Sequence, residues 1–294
     1  MSVAATLECV ECVPNISEGR NIGVLDTLAH SIQGVQLLDR SSDADHNRSV
    51  FTFAGPPELV FEASLQLAEK SFELLSICQH EGVHPRMGVL DVLPFVPVSG
   101  ITLEACTALA HRAATEIWQR FGVPSFFYEA AGKLPLEAVR LFAKQGGEPD
   151  TGTGRHPTAG AIAIGARPFL VAWNVWLQSS DLAVAKAIAR DIRFSSGGLP
   201  GVKALGLPLP SRQLVQVSIN SVDFEATPLH LVLERIESLA KLAGVAVIGS
   251  ELIGLIPQRA VDLSEGADLR WMNWHAELIF ERRYSKSSVG HSYA

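Results

Sequence analysis

His80-Glu81-Gly82-Val83-His84-Pro85-Arg86-Met87-Gly88 admits two readings, a zinc-binding helix or a turn, and they make different proteins. Its first five residues match H-E-x-x-H, which on a helix sets two imidazoles on one zinc ion beside a carboxylate base. Taken whole, the stretch is a His-Pro-Arg-x-Gly turn that presents one histidine and one arginine from rigid backbone. The zinc motif needs both histidines on one helix face, with the helix running on past them. Pro85 follows His84 directly and drives it out of the α region towards extended structure. Gly82 weakens any helix here by roughly 1 kcal/mol relative to Ala. No downstream histidine or glutamate stands out as a third ligand. The turn reading is preferred, and no metal is expected.

Outward from this turn, strands and helices alternate. Leu7–Val13 reads as a strand leading into the loop Pro14–Gly19, and a helix follows over about 21–32. Gly34–Asp39 is a strand, Arg40–Asn47 a polar loop, and Arg48–Phe53 a strand alternating with period two. Pro57–Leu75 is a helix with Val60, Ala63, Leu67 and Leu74 on one stripe. Val92–Val98 is extended, and its two prolines place it at an edge or in an irregular strand. Thr102 caps a helix that turns Cys106, Leu109, Ala113 and Ile117 inward and ends at Gly122. Ser125–Tyr128 is a strand.

Gly146–Gly160, rich in glycine, proline and threonine, is a boundary region or an active-site loop. Arg167–Leu177 is apolar without alternation, as in a strand covered on both faces. A helix at 181–194, strands at 202–207 and 214–219, and a helix with Thr227 as N-cap, Pro228 in its first turn and Gly244 after its end follow. Val245–Ile248 is the last strand. A short helix including Trp271, Trp274 and Leu278 precedes a polar tail, mobile from Ser285. Both halves read strand–helix–strand–strand–helix–strand, the split βαβ pattern. The expected fold is an α/β (α+β) sandwich of two ferredoxin-like βαββαβ subdomains, residues 1–164 and 165–294, with a cleft between them.

Composition narrows the function. With 47% hydrophobic and 19% charged residues the chain is a compact folded protein rather than a disordered one. A net charge of −7 disfavours non-specific binding to nucleic acid or to anionic membranes. No apolar run reaches the roughly 18 residues of a membrane span, and no leader pattern opens the chain, so a cytoplasmic location is expected. Cys9 and Cys12 form a lone C-x-x-C. A zinc ribbon needs a second pair, which Cys78 and Cys106 do not supply, and a redox motif opens a helix instead of lying in a strand. They read as ordinary thiols.

Six stretches together resemble one family, the formiminotransferase domain. They are Glu11–Gly19 (ECVPNISEG), Asn47–Val50 (NRSV), His84–Val92 (HPRMGVLDV), Gly165–Arg167 (GAR), Asn220–Glu225 (NSVDFE) and Gly249–Leu255 (GSELIGL). Each alone is weak, but six in the family's order are specific. The resemblance implies a homodimer of two-subdomain chains that transfers a formimino group from N-formiminoglutamate to N5 of tetrahydrofolate, the folate being a co-substrate. It places the catalytic histidine at His84. Two departures stand out. Val83 occupies a position where the family usually carries Glu, with Glu81 two residues earlier, and the region 129–148 is shorter than in the fused enzymes. A folate-binding homologue without transferase activity is the alternative.

The chemistry asks for a group that removes the N5 proton and protonates the leaving amine. One imidazole can do both, and such help is worth roughly 10²–10⁴-fold. Candidates to stabilise the amidinium are Asp39, Asp223 and Glu251. Arg48 and Arg86 are candidates for the substrates' carboxylates. Asn15, Asn47 and Gly88 complete the expected substrate and folate site. Structural alternatives stand beside each: Asp39 or Glu251 could cap a loop, Arg86 could close its own turn, and Asp223 could satisfy the start of the following helix. Asn15 and Asn47 suit loops on turn chemistry alone. His46 and His156 read as surface histidines, and His230 as packing.

Overall fold

The computed structural model describes residues 7–82, 84–264 and 266–289, with side chains described as far as 285. It is a mixed α/β protein with two sheets, divided into two compact units that meet between Pro168 and Phe169.

In the first unit, β1 (Cys9–Cys12) and β2 (Asn15–Ile16) form one interrupted strand, followed by α1 (Ile22–Ser31), β3 (Gln36–Asp43), β4 (Arg48–Gly55), α2 (Pro57–Leu74) and β5 (Leu90–Ser99). In space the order is β3, β4, β1/β2, β5, all antiparallel, which is the split βαβ arrangement. The chain then adds α3 (Leu103–Phe121), β6 (Ser125–Glu129), α4 (Leu136–Lys144) and β7 (Ile162–Ala166). β7 pairs parallel to β5 and β6 parallel to β7, so the sheet is extended beyond the six-element pattern. The loop 146–160 lies inside this unit, between α4 and β7.

Local signals explain most element ends. The Asn21 side chain accepts from Val24 N at 3.2 Å and Thr102 Oγ1 accepts from Ala105 N at 3.2 Å, each satisfying a free donor at a helix start. Gly122 ends α3 in the left-handed region at φ 66°. The apolar stripes of α1, α2 and α3 pack with Cys12, Phe51, Phe53, Leu93, Phe95 and Ile164 in one core. Leu74, expected on the α2 stripe, is 38% exposed; Ser71, Phe72 and Leu75 around it carry the end of the stripe against the core instead.

α4 does not share that core. Its Val139 and Ala143 pack with Met87, Val92, Phe126, Tyr128, Ala161 and Ala163 in a separate cluster. Because strand side chains alternate, Phe51 and Phe53 on the three-helix side put Arg48 on the other.

Two expectations fail in this unit, and a third holds only in its second form. β3 runs to Asp43, so the loop shrinks to 44–47, because Arg40–Asp43 pair residue by residue with β4. β5 is central, not an edge, and of the two placements expected from its prolines the irregular strand holds, its pairings with β1 and β2 both breaking register. Its prolines are tolerated because Pro97 faces a register break at Cys9/Val10, and Pro94 lies opposite the Val13-Pro14 gap between β1 and β2, where no ladder donor is required. The extension by α4 and β7 has no counterpart in the simple pattern.

The second unit runs β8 (Val171–Leu177), α5 (Leu182–Ile192), β9 (Val202–Leu209), β10 (Leu214–Ser221), α6 (Leu229–Leu242), β11 (Val247–Ile253), α7 (Gln258–Asp262) and α8 (Phe280–Val289). Its sheet order is β11, β8, β10, β9, antiparallel throughout, the same split βαβ topology. β8 is central and buried on both faces, with Trp173 fully buried and donating to Ser221 Oγ at 3.2 Å. Pro228, not Thr227, is the N-cap of α6, and Thr227 is buried. No helix forms over Trp271–Trp274. That stretch docks on β11 instead: Ser250 donates to Arg270 O and accepts from Met272 N, each at 2.8 Å. The helix comes later, as α8, across the start of the expected tail. Among the described residues no helix is long and apolar enough to cross a membrane.

Candidate functional site

None of the described residues of 80–89 is helical, and His80 itself is extended at φ −90°, ψ 127°. The two histidines of the H-E-x-x-H reading therefore do not share a helix face. The segment is a turn, held from both sides.

At its start the turn is stitched to the loop 44–47. Asn47 Nδ2 donates to Glu81 O at 2.9 Å, and Asn47 Oδ1 accepts from Gly19 N at 2.9 Å. His80 Nε2 meets Asn47 O at 2.7 Å. Asn47 adopts φ 49°, a conformation that asparagine tolerates better than most residues. Gly82 lies so close that an added Cβ would sit 2.3 Å from His46 O. Arg86 closes the turn on itself, donating to His80 O at 3.2 Å and to Gly82 O.

At its end the turn is clamped between the loop after β2 and the approach to β7. Ser17 Oγ donates to Gly88 O at 2.8 Å, and Val89 N donates to Ala159 O at 3.0 Å. Only glycine fits at 88, where a Cβ would stand 2.4 Å from both Ala159 O and Ala161 O.

Beneath the turn lies Asp91, a fully buried carboxylate. Its Oδ1 accepts from Met87 N at 2.6 Å, so it holds the turn's backbone directly. Its Oδ2 is shared by Arg48 Nη1 at 2.7 Å and by Arg140 Nη2 from α4. Burial opposes the charge, but the two guanidiniums outweigh it and push the carboxyl down to about 2. Arg48 also donates through Nε and Nη2 to Asn15 Oδ1, at 3.2 and 2.7 Å.

His84 is half-buried above this network, its Nδ1 2.8 Å from Pro85 O. Its pKa falls well below the ordinary histidine value. Burial is the main cause, and the positive charges of Arg48 and Arg140 add to it. Both effects favour the uncharged imidazole. The His46 ring stands edge-on to it, with centroids 6.1 Å apart. His46 Nδ1 is 3.5 Å from Asp43 Oδ2, and burial lowers its pKa as well.

The structure thus brings together His84, Asn15, Asn47, Arg48, Arg86 and Gly88 of the expected residues. Asp39 sits on β3, accepting from Ser41 Oγ at 2.8 Å. Asp223 and Glu251 belong to the second unit. Asp223 accepts from Ala226 N at 3.0 Å in the approach to α6, and Glu251 pairs across from Asn174. His46, expected at the surface, is 8% exposed, because the loop 44–47 folds in against the turn. His156 uses its Nδ1 to accept from Ala159 N at 3.0 Å, a local loop contact. His230 faces Ser264 Oγ at 3.4 Å. The Glu81 side chain is exposed, and its backbone carbonyl makes the contact with Asn47; Val83 lies outside the described residues.

Two members of the network went unread in the sequence. Asp91 carried a signal, a lone carboxylate inside the apolar run Val89-Leu90-Asp91-Val92-Leu93, since a buried charge demands partners. Arg140 carried none. It is one cation on a short amphipathic helix.

Comparison with known proteins bears on this site. Residues 9–167 match the family described as "Formiminotransferase domain, N-terminal subdomain", and residues 172–270 match "Formiminotransferase domain". The chain is 44% identical over 274 residues to the glutamate formimidoyltransferase of Streptococcus pyogenes serotype M1, spanning 87% of this chain and 92% of that one. It is 35% identical over 301 residues to the glutamate formimidoyltransferase of Thermoplasma acidophilum, spanning 96% and 99%. The formimidoyltransferase-cyclodeaminase of Gallus gallus is 40% identical over 275 residues, which take in 86% of this chain and 51% of that longer protein.

Proposed function

Since the chain belongs to the formiminotransferase family and is a transferase, we propose that it moves the formimino group of N-formiminoglutamate to N5 of tetrahydrofolate, with His84 carrying the proton. N5 attacks the amidinium carbon, a tetrahedral intermediate forms, and the bond to glutamate's nitrogen breaks. His84 takes the proton that N5 loses and returns it to the departing amine, so the imidazole ends as it began. The observation that carries this reading is the placement of His84. It is half-buried on a turn fixed at both ends, where burial and two guanidiniums favour the uncharged imidazole.

Tetrahydrofolate is a co-substrate in this scheme; Arg48 and Arg86, expected to meet the substrates' carboxylates, are engaged here by Asp91 and Asn15 and by the turn's own carbonyls. Homodimerisation, implied by the family resemblance, and a cytoplasmic setting, expected from the sequence pattern, belong to the same reading. The test is turnover of N-formiminoglutamate with tetrahydrofolate, the product converted in acid to its methenyl form and read by absorbance. Turnover in the wild type that disappears in His84→Ala supports the scheme. Equal rates in both remove His84 from it. Folate binding without turnover in either protein would leave a folate-binding homologue.

A further inference from the structure

We infer that Arg140 is a positioning residue for His84: carried in on α4, it clamps the Asp91 carboxylate that holds the His84 turn, and so fixes where the imidazole sits. The inference rests on His84 acting as the proton carrier proposed above.

Two contacts reach the turn from the α4 side. Met87, three residues past His84, packs its side chain in the same small cluster as Val139 and Ala143 of α4. Its backbone N–H is held by Asp91 Oδ1, while Asp91 Oδ2 is held by Arg140 and Arg48. Side chain and backbone of the turn are therefore referenced to one helix. Arg48 alone cannot replace Arg140, because its remaining nitrogens are committed to Asn15. A stabilising role alone accounts poorly for the arrangement. Desolvation offsets much of the attraction in a buried ion pair, and the buried Arg140 Nε–H finds no acceptor among the described residues.

The charged and titratable groups facing His84 are Arg48 from β4, Arg140 from α4, Asp91 from β5 and His46 from the loop 44–47. Arg140 adds positive charge to this set and so favours the neutral imidazole. Removing it should make His84 easier to protonate.

The experiment follows the His84 imidazole by NMR through a pH titration, beside kcat and KM, in the wild type, Arg140→Gln and Arg140→Lys. In Arg140→Gln the imidazole is expected to titrate at higher pH than in the wild type. A kcat loss of up to about 100-fold is expected, the scale set by ångström-level misplacement, with smaller changes in either KM. Arg140→Lys keeps the charge without the fork, so its titration should return towards the wild type while kcat recovers only in part. A folded Arg140→Gln with unmoved titration and unmoved kcat would overturn the inference, as would a kcat loss that merely tracks loss of folded protein. Should Arg140→Gln fail to fold, Arg140→Lys decides alone: a lowered kcat per folded molecule supports positioning, and an unchanged one overturns it. If the wild type shows no turnover, the transferase reading fails separately, and the titration still answers for Arg140.

Discussion

The side-chain amide of Asn47 bridges Gly19 and Glu81, accepting from one backbone N–H and donating to the other's carbonyl, both at 2.9 Å. One buried residue thereby joins the loop after β2, the loop before β4 and the His84 turn. Asn47→Ala removes both bonds and leaves a non-glycine residue in the left-handed region, at φ 49°. The expected cost is about 1–3 kcal/mol, read as a lowered thermal midpoint with activity falling further than stability. An unchanged midpoint would show that the bridge contributes nothing.

Gly82 tests the same junction by steric means. An added methyl would lie 2.3 Å from His46 O and 3.1 Å from Arg86 Nη2, so one of the two loops must move. Both loops lie at the margin of the core, and the main casualty in Gly82→Ala should be geometry. We expect kcat to drop at least about tenfold, within the range that ångström-scale misplacement produces. Wild-type kcat in this variant would mean that the two loops need not be in register.

Much of this architecture was legible because each signal was local. Pro85 disfavoured the zinc helix from one residue's steric demand, and Thr102 and Gly122 marked helix ends by their own hydrogen bonding and backbone freedom. What escaped was set by partners far along the chain. Pro94 and Pro97 left open an edge or an irregular strand, and the choice of a central, irregular β5 needed the knowledge that its neighbour is interrupted at Val13-Pro14. Asn273 looked like part of a helix, yet its side chain pairs with the backbone of Leu252. His46 looked like a surface residue until the loop 44–47 was seen against Gly82. Arg140 depended on the α4 extension, which the repeated six-element pattern gave no reason to expect.

That pairing of Asn273 gives a prediction in the second unit. Leu252 N–H donates to Asn273 Oδ1 at 3.0 Å, and Asn273 Nδ2 donates back to Leu252 O at 2.8 Å. β11 is the edge of its sheet, and these bonds, with those between Ser250 and the 270–272 segment, occupy its free side. Asn273→Ala should cost about 1 kcal/mol and speed hydrogen exchange at the Leu252 amide. An exposed edge also invites pairing with other chains. Slow exchange persisting at Leu252 would argue against the edge-covering role.

In the proposed scheme His84 sets the acid side of the activity profile. Burial, Arg48 and Arg140 lower its pKa, and only the neutral form can accept the N5 proton. As pH falls, activity should therefore persist below the ordinary histidine value of about 6.5 and fail only lower, where the imidazole protonates. The free-enzyme group appears in kcat/KM against pH. An acid limb at or above that ordinary value would contradict the electrostatic account of the site.

Asp91 links the site to stability. Its folded carboxyl lies at about 2 against an ordinary 3.8, so the unfolded chain binds the proton more readily than the folded one. The stabilisation from this shift is fully present above about pH 4 and is lost as pH falls through about 2, amounting to about 2 kcal/mol. Asp91→Asn removes the anion and leaves Arg48 and Arg140 facing each other in a buried setting, which should cost about 3–5 kcal/mol at neutral pH. The wild type loses the same anion on acidification, so the gap between the two proteins should narrow from pH 4 downward. Urea unfolding of both at pH 7 and near pH 2.5 measures this directly. A gap that stays constant between those pH values would mean that the Asp91 charge, and hence the clamp beneath His84, is not what separates the two proteins.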